Sequence, residues 1–104
     1  VLFRSDQIGH ACAMALKNLM GLVCDPVGGL VEVPCVKRNV GGAVNALAAA
    51  DMALAGITSK IPVDQVIDAM KEVGDKMDVS LRETGVGGVA GTPAAQEVVE
   101  KLGM

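Results

Sequence analysis

The sequence predicts an all-α fold, helices joined by glycine-rich loops. Apolar residues recur at three- and four-residue spacing in several windows, the period of one helix face. Glycine and proline gather between those windows, where a helix would stop or start. No stretch alternates apolar and polar residues convincingly over strand length, and no internal repeat is visible.

The first helix is expected from about Asp6 to Met20. Ile8, Ala11, Cys12, Ala15, Leu16 and Leu19 fall at i, i+3, i+4, i+7, i+8 and i+11, a single stripe. Ser5 is placed to cap it and Gly21 to end it. Cys12, in mid-stripe, reads as a small buried hydrophobe, whereas His10 lies off the stripe and reads as exposed. The loop from Gly21 to Arg38 follows. Its "LVEV" portion could form a short extended segment, which Pro34 limits. A second helix is expected from Asn39 to Ala55, with Gly56 as its stop. It is apolar nearly all round, the mark of a buried core helix, and Gly41, Gly42, Ala46 and Ala50 would let neighbouring backbones approach. Asn39, at its start, is by default a cap. The third helix begins near Pro62, a good first-turn residue. Val66, Met70, Val73 and Met77 stand opposite Asp64, Asp68, Lys71, Glu72 and Asp75, so it is amphipathic and outer. After "ETGVGGVAGTP" comes a short tail helix from about Pro93, with Thr92 as cap.

Composition bounds the function. The 104 residues make one domain at most, and 51% are apolar, yet Phe3 is the single aromatic. Small side chains bury little area each, so much of this apolar surface is expected to meet the rest of a longer chain or another subunit. A chain that starts at Val1 fits a fragment. The formal charge of −3 and scattered Lys and Arg give no nucleic-acid footprint. No signal peptide is evident, and the apolar run Val40 to Leu54 is too short to span a bilayer. Three cysteines without a secretory signal point to reduced thiols in the cytoplasm rather than a disulfide.

The chemistry concentrates in "CDPVGGLVEVPCVKRN", Cys24 to Asn39, where two cysteines flank a rigid Pro-Gly-Gly loop. A metal centre, a disulfide and two core cysteines compete there. A zinc site drawn from His10, Cys12, Cys24 and Cys35 is disfavoured, because residues two apart on a helix point to nearly opposite sides. Gly85 to Gly91 lacks the Gly-Lys-Ser/Thr ending of a phosphate loop and follows no strand. Its glycines are expected to supply positive φ or close backbone approach beside a packed site. "VKR" reads as a solvated patch, with an anion-binding role left open by its place after Cys35.

The segment "LMGLVCDPVGGLVEVPCVKRN" closely resembles the cluster-binding region of the bacterial iron–sulfur-dependent L-serine dehydratases. The resemblance continues through the Ala-rich helix, "IPVDQVIDAMKEVGDKM" and "ETGVGGVAGTP", covering nearly the whole chain from about residue 6. Without a terminal cysteine the tail looks like the two-subunit branch. Residues 1–104 would then be a single partial domain, the C-terminal portion of an α-type helical catalytic domain. The resemblance implies a lyase of amino-acid catabolism and gluconeogenesis that converts L-serine to pyruvate and ammonia. It implies a [4Fe–4S] cluster on three cysteines, two of them matched by Cys24 and Cys35 and the third upstream of this chain; Cys12 does not match. The open iron would act as a Lewis acid on the substrate hydroxyl, and thiolates suit such a cluster. The catalytic base is not assigned. If Asn39 opens a helix towards that site, the substrate carboxylate would lie at its N-terminus with a hydrogen bond from Asn39 or Arg38. A β subunit or a homo-oligomer is the expected partner. The alternative is a non-catalytic helical element that packs against a partner subunit.

Overall fold

The computed structural model describes residues 4–30 and 34–103. Among them are four α-helices: α1 (Ser5–Leu19), α2 (Cys35–Leu54), α3 (Val63–Lys76) and α4 (Pro93–Lys101). Short 3-10 turns occupy Val27–Gly29, Val79–Leu81 and Gly88–Gly91. The one β feature described is an isolated parallel bridge between Cys24 and Arg82, so the all-α expectation holds. No described helix is long and apolar enough to cross a membrane. The "LVEV" expectation falls largely on residues 31–33, outside the described residues.

The chain divides into two compact units, residues 1–21 with 41–76, and residues 22–40 with 77–104. The chain passes from one to the other within α2.

In the first unit, α1 packs against α3, and Met14 of α1 is buried with Ala49 and Ala53 of α2. Ala11, Ala15 and Met52 border that cluster. Small residues at the crossing allow close approach, so polar groups also reach across it. Asn45 donates from Nδ2 to the Ala15 carbonyl (3.0 Å) and accepts at Oδ1 from Asn18 (2.8 Å). The buried face of α1 is therefore turned from the expected stripe: Ala13 and Met14 are buried, whereas Cys12 and Ile8 are exposed. Cys12 is not a core residue. His10 is half-buried instead of free, its Nδ1 accepting the Ser59 N–H at 3.1 Å. The first helix begins one residue earlier than expected, so Arg4 holds the cap position and Ser5 lies inside the first turn. Gln7 reaches back to accept the Arg4 N–H (2.9 Å).

Helix α2 starts at Cys35, four residues before the expected Asn39. Pro34 explains the shift, since its fixed φ suits a helix start and its carbonyl accepts the Arg38 N–H at 3.2 Å. Pro62 acts in the same way for α3, accepting from Val66 (3.1 Å). Asn39 is consequently no cap but an interior position, its Nδ2 donating to the Cys35 carbonyl one turn back (3.0 Å). At the other end Gly56 N–H bonds Ala53 O and Ile57 N–H bonds Met52 O, with Gly56 at φ +90°. That double closure is a Schellman stop, and it needs the left-handed conformation that glycine adopts freely. The buried-core expectation for α2 holds only at Ala49 and Ala53; Val40, Val44 and Leu47 are exposed in this chain. The stripe expected on α3 is present, Val66 being buried and Met70 and Val73 half-buried. Helix α4 starts as expected, Thr92 Oγ1 accepting the Ala95 N–H at 3.3 Å.

Candidate functional site

The second unit contains Cys24, Cys35, Arg38 and the "ETGVGGVAG" loop. Cys24 is pinned by its backbone: its N–H donates to Leu81 O (3.1 Å) and its carbonyl accepts from Glu83 N–H (2.6 Å). Directly after it, Asp25 and Pro26 are buried, Asp25 being only 1% exposed. A buried carboxylate must be paired and hydrogen-bonded to be tolerated. Asp25 achieves this by joining three segments. Its Oδ1 accepts from Arg38 Nη1, and its Oδ2 accepts from the Val89 N–H at 2.5 Å. Arg38 Nη1 also donates to the Val23 carbonyl (2.9 Å). One carboxyl group thus ties the Cys24 loop to the first turns of α2, where Cys35 sits, and to the glycine-rich loop.

The glycines of that loop are required by closeness as well as by φ. Gly88, at φ +61°, would place a Cβ 2.9 Å from the Asp25 Cβ, so no side chain fits. A Cβ on Gly91 would meet the Val86 carbonyl oxygen at 2.6 Å. The expectation of positive φ and close backbone approach is met.

The electrostatics follow from this packing. Burial alone would push the Asp25 carboxyl up, but the Arg38 hydrogen bond, the Val89 N–H and the Arg38 charge outweigh it and hold it below its ordinary value. The Cys24 thiol is pushed up, first by loss of hydration and then by the negative charges of Glu83, Cys35 and Asp25, against the pull of Arg38. All three cysteines are free thiols, Cys35 half-buried and Cys24 exposed. Among the described residues no group of three His, Cys, Asp or Glu side chains is set to hold a metal ion by itself.

Of the residues singled out in the sequence, Cys24, Cys35 and Arg38 are brought into one unit, and Asn39 stands exposed beside them. Cys12 belongs to the other unit. Asp25 and Glu83 are the residues that sequence reasoning missed. The Asp-Pro pair inside an apolar run was the available signal for Asp25; nothing local marks Glu83.

This is a helical chain in which a buried ion pair ties the loop of one thiol, Cys24, to the helix start that carries another, Cys35. It belongs to the serine dehydratase alpha chain family, whose model matches residues 4–90. It is 63% identical over 97 residues to the probable L-serine dehydratase alpha chain of Bacillus subtilis, covering 93% of this chain and 32% of that protein. It is 68% identical over 88 residues to the probable L-serine dehydratase alpha chain of Latilactobacillus sakei, covering 85% and 42%. For the L-serine dehydratase alpha chain of Peptoniphilus asaccharolyticus the identity is 50% over 93 residues, covering 89% and 32%. The chain therefore spans less than half the length of these relatives.

Proposed function

We propose that this chain is part of the α chain of an iron–sulfur-dependent L-serine dehydratase, which converts L-serine to pyruvate and ammonia. The observation that carries the reading is the Cys24–Cys35 unit: two free thiols, one on a loop and one in the first turn of α2, whose segments are joined by one buried carboxylate. The donor set fits a cluster. Thiolates are its usual ligands, and the negative surroundings that push the Cys24 thiol up are those that a bound metal relieves. Cys24 and Cys35 would hold a [4Fe–4S] cluster, with a third cysteine supplied from outside this chain. When bound, the cluster supplies a Lewis-acidic iron that makes the serine hydroxyl a better leaving group.

The chain's own polar groups then orient the substrate. Arg38 is anchored through Nη1 and half-exposed, and its remaining N–H groups, which donate to none of the described residues, would bind a carboxylate. Asn39 adds an exposed amide one residue further on. The alpha-chain names of the relatives support a second, β-type subunit, and the free thiols fit a cytoplasmic enzyme.

The test is made in the complete enzyme under anaerobic conditions. Replacing Cys24 or Cys35 with Ser should abolish the visible absorbance of the cluster and the dehydratase activity. Cys12→Ser should keep both, since Cys12 is exposed in the other unit. Iron lost from the Cys12 variant but kept by the Cys35 variant would overturn the ligand assignment. A second reading, a helical element that only packs against a subunit, draws on the exposed Val36, Val40, Val44 and Leu47 of α2. Full activity in both the Cys24 and Cys35 variants would favour it.

A further inference from the structure

We propose that Glu83 receives the α-ammonium group of the amino-acid substrate, while Arg38 takes its carboxylate. The assignment rests on the serine dehydratase reading and adds the recognition of the substrate's positive end. Glu83 is the one non-glycine among the described residues with positive φ, +63°. The other seven positive-φ positions are all glycine, so the chain elsewhere follows the backbone's preference. At position 83 it keeps a carboxylate in a conformation that disfavours side chains, a pattern associated with functional sites.

The position of Glu83 is fixed by the candidate ligand loop itself. Its N–H donates to the Cys24 carbonyl at 2.6 Å, next to the isolated bridge between Cys24 and Arg82. Its side chain is exposed, and its carboxylate accepts no hydrogen bond from the described residues. Arg38 is held by the two residues flanking Cys24, Val23 and Asp25. An Arg38 guanidinium held by its side chain and a Glu83 held by its backbone are thus both tethered to the Val23–Asp25 segment. Asp25 is already committed to Arg38 and Val89, whereas the Glu83 carboxylate, bonded to none of the described residues, is left to meet a ligand. An amino acid at neutral pH carries one charge of each sign, and this pair of side chains complements both.

The experiment uses the complete enzyme, held anaerobic. Because L-serine is consumed, its binding is read as the KM of turnover, and that of 3-hydroxypropanoate, which is serine without its amino group, by calorimetric titration. Glu83→Gln removes the charge at constant size. Glu83→Gly removes the side chain and suits the backbone, so its melting temperature should equal or exceed that of the wild type. Both variants should retain the visible absorbance of the cluster and bind L-serine about tenfold or more weakly. Both should bind 3-hydroxypropanoate like the wild type, and Glu83→Asp should recover part of the serine affinity. A Glu83→Gly enzyme that binds L-serine like the wild type would overturn the assignment alone. So would an equal loss of both ligands, which would place the effect away from the ammonium group. Wild-type enzyme that fails to bind or dehydrate L-serine would overturn the underlying reading and this assignment with it.

Discussion

Asp25 shows how one side chain organises a site that it need not touch. A carboxylate this buried is tolerated because Arg38 and the Val89 N–H satisfy both its oxygens. Its acidity is held below the ordinary value, so its contribution to stability is present above the unfolded-state value of about 3.9 and lost as pH falls through the lower folded-state value. The urea midpoint should therefore show no Asp25-dependent slope above about pH 5 and should fall with acidification below about pH 4. Asp25→Asn should be less stable at neutral pH and should lose that part of the acid slope, measured by urea denaturation at a series of pH values. An unchanged acid slope in the variant would show that the ion pair contributes nothing.

Among elements, the helix ends are most legible where the capping chemistry is local. Thr92 before Pro93 marks the start of α4 in the sequence and does so in the structure, accepting the Ala95 N–H and donating to Val89 O (2.8 Å). Thr92→Ala should cost about 1 kcal/mol, whereas Thr92→Ser should be close to neutral; thermal or urea unfolding measures both. The start of α2 is less legible, because Asn39 has the chemistry of a cap while Pro34 sets the actual start at Cys35, four residues before Asn39. A four-residue shift has a chemical consequence. It puts Cys35 in the first turn of α2 and Arg38 inside the helix, so the helix N-terminus lies at the cysteine instead of at Asn39.

At the scale of the whole molecule, the exposed apolar side chains dominate. Val36, Val40, Val44 and Leu47 recur at i, i+4, i+8 and i+11 along α2, each more than half exposed. Water contact along such a stripe is unfavourable by roughly 25 cal/mol per Å². The isolated chain should self-associate as its concentration rises, with Leu47→Lys and Val44→Lys together shifting it towards monomer in sedimentation velocity. A wild-type chain that stays monomeric at high concentration would contradict this.

Periodicity, proline and glycine were enough to specify the helical class, the stops at Gly21 and Gly56, the amphipathic α3 and the cap at Thr92. Those features depend on neighbours within a turn or two, and the sequence lists such neighbours directly. The length and spacing of the Cys24 and Cys35 motifs likewise made the family resemblance readable. Which face of α1 is buried was decided by its packing against α2 and α3, where Met14 met Ala49 and Ala53 and left Cys12 outside. The Asp25–Arg38 and Asp25–Val89 contacts join residues 13 and 64 positions apart. No local pattern encodes that pairing, because a buried carboxylate takes its partners from whatever segments the fold brings to it.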